Sequence, residues 1–417
     1  MASESRLLCL RPAFVMKYSL MASDVLVLGA GPAGISVSLL LARQGYSVEI
    51  LDPAFFPREK ICGEFLNPQA ARWLDEQGLT GALLSLDPFR VYGMKITDSR
   101  GRSFTGHYAN HKEHSGFAVM RRSFDQLLVT QARAAGIQIC EGWKAERLVF
   151  DGADVCGAAG RDAEHRPFEK RARIVIGADG RNNLVGRTFG WIRGIRSLRK
   201  YAYQTYYEVP DLSHFGEVHM VREGYVGIAP LNEKLANVAL VIDEKGYPGG
   251  DADRAQFLQG RIGGSPLRAR FTGLKPVAPV NSGGPLAFTS VRVSGHRALL
   301  VGDTCGFIDP FTGEGINYAF LSSSLATDVI HQAFQTGRFD DASLARYDRM
   351  RREVFSRKFM MSRLLQHAIG STRLSSYLVR KCAERMDLAD TMVSAVGSAV
   401  PVEHVWSLRF LLKLVFS

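Results

Sequence analysis

The sequence predicts an α/β protein: a Rossmann-like nucleotide-binding domain interleaved with an antiparallel β-sheet domain, with a helical region at the C-terminal end. Three observations predict it. Residues 25–52 read as strand, glycine-rich turn, helix and second strand, the roughly 30-residue length of a parallel right-handed crossover. Residues 201–242 alternate apolar and polar positions without a helical period. A buried-strand texture returns at residues 298–301 and passes into long helical stretches.

In chain order, residues 25–28 (VLVL) are wholly apolar, as expected of a strand covered on both faces. Residues 35–43 continue as a helix that stops at Gly45, and residues 48–51 make a second strand ending in Asp52. Helices are expected over 68–77 and 121–135, the latter leading into a strand at 137–140. Between them residues 91–108 alternate as hairpin strands do. Residues 174–176 form a third buried strand, followed at once by Gly177, Ala178, Asp179 and Gly180. A long helix is expected over 317–335, and the chain from 341 onward reads as mostly helical.

Composition narrows the function. With 417 residues, 46% hydrophobic and 22% charged, the chain is neither disordered nor fibrous. Its formal charge of +11 calls for anionic partners. No Lys/Arg run exceeds two, so a phosphate-bearing cofactor or an anionic membrane surface accounts for the charge better than nucleic acid. Six dispersed cysteines, with no CxxC and no nearby paired histidines, predict neither a disulfide framework nor a metal site. The first 20 residues lack an unbroken apolar core and read as a disordered extension, with Met16 or Met21 as alternative starts. No 18-residue apolar run occurs, which makes the cytoplasm the expected compartment. Residues 406–416 combine an apolar face with Arg409 and Lys413. That segment reads either as a docked core helix or as a peripheral contact with an anionic membrane.

The GxGxxG turn, Gly29 to Gly34 with Ala30, Pro32 and Ala33 between, sits between a strand and a helix, with acidic Asp52 closing the second strand. Gly29 permits the tight turn, Gly31 lets backbone approach a pyrophosphate at the helix N-terminus, and Gly34 lets the helix lie close. Asp52 is placed to accept from a ribose diol. Far downstream, Gly302 and Asp303 end another buried strand, where a carboxylate can accept from a ribityl chain. The turn containing Gly313, Gly315, Ile316 and Asn317 then presents a helix N-terminus, suited to negative charge on a flavin.

Four segments together, residues 24–52 (DVLVLGAGPAGISVSLLLARQGYSVEILD), 56–68 (FPREKICGEFLNP), 177–181 (GADGR) and 301–319 (VGDTCGFIDPFTGEGINYA), resemble FAD-dependent oxidoreductases of the p-hydroxybenzoate hydroxylase structural class. Within that class the chain is most similar to the geranylgeranyl reductase group. The resemblance implies FAD as cofactor and NAD(P)H as electron donor. It implies that Gly29, Gly31 and Gly34 hold the pyrophosphate, Asp52 the adenosine ribose, Asp303 the ribityl chain and residues 313–317 the isoalloxazine edge. Arg121, in an Arg-x-x-Phe-Asp pattern, resembles a cofactor-contacting arginine. Asp179, Gly180 and Arg181 resemble a second fingerprint shared by FAD and the nicotinamide donor. On this reading the FAD-binding domain comprises residues 22–90, 119–195 and 286–340. The substrate domain comprises 91–118 and 196–285, after a disordered 1–21 and before a helical 341–417.

Cys62, before Gly63, resembles the cysteine that geranylgeranyl reductases place close to the flavin. It is the candidate catalytic residue, as gate, substrate contact or proton donor. Glu64 reads as a solvated or salt-bridged carboxylate, with a catalytic role as the lesser alternative. Residues 224–230 carry no tryptophan where halogenases have their WxWxIP motif, which disfavours halogenation. The expected activity is reduction of a carbon–carbon double bond in a lipophilic prenyl or polyketide-like substrate. The alternatives are aromatic hydroxylation by a monooxygenase and a non-enzymatic flavin-binding role.

Overall fold

The computed structural model describes residues 23–250 and 252–416. The expected N-terminal extension, with Cys9, Met16 and Met21, lies outside them.

Five parallel strands form the nucleotide-binding sheet, in the order Ala298–Leu300, Pro167–Gly177, Ser23–Leu28, Val48–Asp52, Gln138–Glu141. Val25, Leu26 and Val27 in the central strand have no exposed surface, and each fully buried aliphatic side chain contributes about 1.5–3 kcal/mol. The helices Pro32–Arg43, Arg121–Ala134 and Gly315–Thr336 share a core with this sheet. Pro32 opens the first helix at a position that needs no N–H donor. Gly45, at φ +86°, lets the chain leave it.

A second sheet runs Asn281–Gly283, Lys200–Glu208, Leu235–Asp243, Gly224–Pro230, Phe215–Val221, Gly93–Thr97, Ser103–His107. The hairpin expected at 91–108 is present, and it forms the edge of this sheet. Its junction corrects the expected antiparallel pattern, because Phe215–Val221 and Gly93–Thr97 run parallel. A strand inserted from the earlier segment is free to choose its direction, which alternation cannot reveal. Two further features went unread: the hairpin Lys144–Asp151 with Asp154–Arg161, and the helix Arg254–Gly263. The first strand of that hairpin is largely solvent-facing, so its apolar signal is weak.

The helices Asp341–Gly370, Thr372–Glu384, Met386–Val396 and Leu408–Phe416 build the C-terminal region. Met386–Val396 crosses the Ser103–His107 strand so closely that a Cβ on Gly106 would stand 2.5 Å from the Ala389 carbonyl oxygen. The helical region is thereby fixed to the second sheet.

Candidate cofactor-binding and active site

Three glycine segments far apart in sequence meet at the carboxyl ends of the parallel strands. Gly29, at φ +111°, lies so close to the GADG turn that a Cβ there would be 2.6 Å from the Ala178 carbonyl oxygen. A Cβ on Gly34 would be 1.8 Å from the Gly29 oxygen, and one on Gly302 would be 2.6 Å from the Ala33 Cβ. Ser322 accepts the Gly302 N–H at 2.8 Å, and Ser323 donates to the Ala33 oxygen at 3.0 Å, tying the Gly315–Thr336 helix to the first helix. Gly31 differs: a Cβ there would meet only the Arg58 guanidinium, at 3.4 Å. Its front is open toward a cation, as a pyrophosphate cradle requires.

Asp52 is 3% exposed and accepts from Ala30 N at 2.7 Å and Ala54 N at 2.8 Å. It therefore braces the glycine turn, and each oxygen keeps a second lone pair for a ribose hydroxyl. Arg58 lies 4.0 Å from Asp52 and 3.7 Å from Asp125, in front of Gly31, with its buried Nε unpartnered. Sequence reasoning passed over Arg58, because its neighbour at the turn is 27 residues away and only the fold brings them together.

Asp179 accepts from Leu184 N at 2.9 Å, and its other oxygen is buried without a partner. Burial pushes this carboxyl up to about 6. Gly180, at φ +62°, turns the chain so that Arg181 stands exposed beside Ile61 and Gly283. Burial also raises the Asp303 carboxyl, opposed by the charges of Lys60, Arg121 and Arg181. Gly313, at φ +64°, caps the turn before the Gly315–Thr336 helix and packs on Phe65. Gly315 is unobstructed, its Cβ position meeting only Asp303 Oδ1 at 3.9 Å. Ile316 is buried, and Asn317 donates to Gln69 at 2.9 Å while its buried Oδ1 has no partner. Pro32 and Ala33, also expected at the cofactor, are buried in the first turn of their helix.

The Cys62 segment folds back on itself beside this turn. Cys62 Sγ accepts from Glu64 N at 3.3 Å and from Arg121 Nη1 at 3.4 Å. Arg121 is held by Asp125 through two bonds of 2.9 and 3.0 Å. Burial would depress this guanidinium, but the Asp125 carboxylate outweighs it and keeps the cation charged. The thiol thus faces a fixed positive charge.

Glu64 corrects the expectation of a solvated or salt-bridged carboxylate. It is 1% exposed and adopts φ +55°, a left-handed backbone that costs a non-glycine residue about 1–3 kcal/mol. Tyr206, on the Lys200–Glu208 strand, donates to Glu64 Oε1 at 2.6 Å, and Arg121 N donates to the same oxygen at 3.2 Å. Glu64 Oε2 is buried with no partner. Burial pushes the carboxyl up, against the hydrogen bond from Tyr206 that pulls it down, and burial likewise raises the Tyr206 phenol. Asn237 adds a bond of 2.9 Å to the Cys62 carbonyl oxygen. Neither Tyr206 nor Asn237 carries a site signal in the sequence, since one face of an alternating strand looks alike whether it meets core or site.

These residues fit FAD. Open backbone at Gly31 and Gly315, unpartnered buried polar atoms on Arg58, Asp179 and Asn317, and the carboxyl of Asp303 are the features that a dinucleotide with a polyol linker needs. The model of the FAD binding domain family matches residues 22–362. Conditioned medium factor receptor 1 of Dictyostelium discoideum is 28% identical over 81% of this chain and 69% of its own. Digeranylgeranylglycerophospholipid reductase 2 of Methanopyrus kandleri is 29% identical over 90% of this chain and 93% of its own. In a triple mutant of the flavin-dependent brominase Bmp2, similarity of fold reaches a TM-score of 0.78 at 19% identity, covering 90% of this chain and 94% of that one. The match across about four fifths of the sequence, on the segments that build the glycine cradle, establishes that the chain belongs to the FAD-binding family of p-hydroxybenzoate hydroxylase-like oxidoreductases.

Proposed function

We propose that this FAD-dependent oxidoreductase takes electrons from NAD(P)H and reduces a carbon–carbon double bond of a lipophilic, prenyl- or polyketide-like substrate. The observation that carries the reading is the cluster of Cys62, Glu64 and Tyr206, linked to the flavin-edge turn by the contact of Phe65 with Gly313. Likeness to a relative named for reducing a digeranylgeranyl lipid supports the substrate class.

Reduction of an alkene adds a hydride to one carbon and a proton to its neighbour. FAD, when bound, supplies the hydride chemistry, and the chain must hold it and furnish the proton. Gly31 and Arg58 would hold the pyrophosphate, Asp52 the ribose, Asp303 the ribityl chain and Gly315, Ile316 and Asn317 the isoalloxazine edge. With Glu64 protonated, the form that burial favours, the bond between the two side chains reverses, and partly exposed Tyr206 can give its hydroxyl proton to substrate and recover one from Glu64. Cys62, oriented by Arg121, is the second candidate donor. Exposed Arg181 offers a cation to a phosphate of the nicotinamide donor.

The test is to incubate the holoenzyme under nitrogen with NADPH and a digeranylgeranyl lipid, then weigh the product. A gain of two hydrogens per reduced bond supports the reading. A lipid returned unchanged, with a phenolic compound hydroxylated once air is admitted, replaces it with the monooxygenase.

A further inference from the structure

The last described helix, Leu408–Phe416, is apolar on two sides, and only one is used inside the molecule. Phe410, 6% exposed, and Leu414 pack into the C-terminal core with Val402, Val405 and Leu388. Tyr377 donates to the Leu414 carbonyl at 2.9 Å, and Lys413 pairs with Asp387 at 2.5 Å. These contacts fix the rotation of the helix about its axis. They leave Leu408, Leu411, Leu412 and Val415 outward at 72%, 40%, 46% and 60% exposure. Their i, i+3, i+4, i+7 spacing makes one continuous stripe. Met386, 71% exposed, precedes the Asp387 that holds Lys413.

We propose that this stripe seats on an anionic lipid surface. Residues 341–417 contain thirteen Lys and Arg against seven Asp and Glu, so more than half of the net charge of +11 lies in this region. Arg409, exposed on the helix itself, pairs with no carboxylate among the described residues. Basic residues beside an apolar stripe complement acidic headgroups above acyl chains. The same charges oppose a second copy, which would set like patches face to face. Among the described residues no helix is long and apolar enough to cross a membrane. A nine-residue helix is about 13 Å long and lies in the interfacial plane.

The arrangement also ties the surface to the site. Ser398, on the segment leading to the stripe, hydrogen-bonds Glu314, the residue that opens the Gly315–Thr336 helix, and Lys358 pairs with Glu314 at 2.8 Å. A stripe resting on a bilayer would anchor the flavin-edge turn near a membrane-borne substrate. That consequence rests on the lipophilic substrate proposed above, whereas the binding itself does not.

The test is flotation of full-length holoenzyme with vesicles of phosphatidylcholine alone or mixed with phosphatidylglycerol. The parent protein should float with the anionic vesicles only. The double variant Leu411→Glu/Leu412→Glu should lose on the order of tenfold or more in partitioning, and Arg409→Glu a smaller factor. Both variants should keep bound FAD and the parental Tm, which separates lost binding from misfolding. A parent that ignores anionic vesicles, or a double variant that binds them as well as the parent, overturns the proposal. So does a dimer seen by light scattering that the double variant dissolves, because the stripe then serves a second copy. Vesicle binding by a protein that reduces no alkene would uphold the lipid surface while refuting the proposed reaction.

Discussion

Tyr206 and Glu64 share a hydrogen bond of 2.6 Å that joins the second sheet to the Cys62 segment, 142 residues apart in the chain. It places a phenol with a raised pKa on a carboxyl with a raised pKa, in a segment pinned to the turn before the Gly315–Thr336 helix through Phe65 and Gly313.

Tyr206→Phe and Glu64→Gln should each slow reoxidation of the flavin by substrate, by about 100-fold, while flavin reduction by NAD(P)H stays nearly unchanged. The sign of the pH effect follows from the shift. The active form of Glu64 is protonated and burial raises its pKa, so turnover falls as pH rises through that folded value. Glu64→Gln should lose this limb of the profile. Rapid-mixing measurements of the two half-reactions across pH check both statements.

Cys62→Ser keeps an acceptor for Arg121 and Glu64 N but replaces the thiol. If Cys62 acts on substrate, only the oxidative half-reaction slows. Equal losses in both half-reactions would assign it to packing.

Asp303→Ala should weaken FAD retention by about 1–3 kcal/mol, the cost of a polar group left without its hydrogen bond. Titration of the apoprotein with FAD, read by flavin fluorescence, measures it.

Asp179 provides a stability test. Its carboxyl is raised to about 6 in the folded chain, against 3.8 as its ordinary value, so the folded state holds the proton more tightly. Stability from this group is present at low pH and is lost as pH rises between those two values. Asp179→Asn cannot ionise. In melts of the FAD-free protein, its Tm relative to the parent should therefore become more favourable from about pH 4 to about pH 6.

Much of the cofactor half was legible because its signals are local. The Gly29 to Gly34 turn, the strands beside it and Asp52 lie within 29 residues, and Gly34 answers a steric demand that Gly29 imposes inside the turn itself. The contacts of Gly29 with Ala178 and of Gly302 with Ala33 are long-range, and no local pattern carries them. Glu64 was misread for a related reason. Arg58, Glu59 and Lys60 precede it, so the segment looks like charged surface, while its burial is decided by Tyr206 and by Arg121 from other elements. The tail helix docks Phe410 and leaves Leu411 exposed, a division that depends on the rotation its neighbours enforce.

The central claim is that the flavin delivers hydride to an alkene without oxygen, and anaerobic stopped flow tests it most directly. Holoenzyme reduced by NADPH is mixed under nitrogen with a digeranylgeranyl lipid, and the yellow absorbance of oxidised flavin is followed. The account predicts that the colour returns at a rate that rises with lipid concentration, and that Tyr206→Phe delays it. Flavin that stays bleached under nitrogen with every prenyl lipid, yet reoxidises in air while a phenolic compound gains a hydroxyl group, would contradict it.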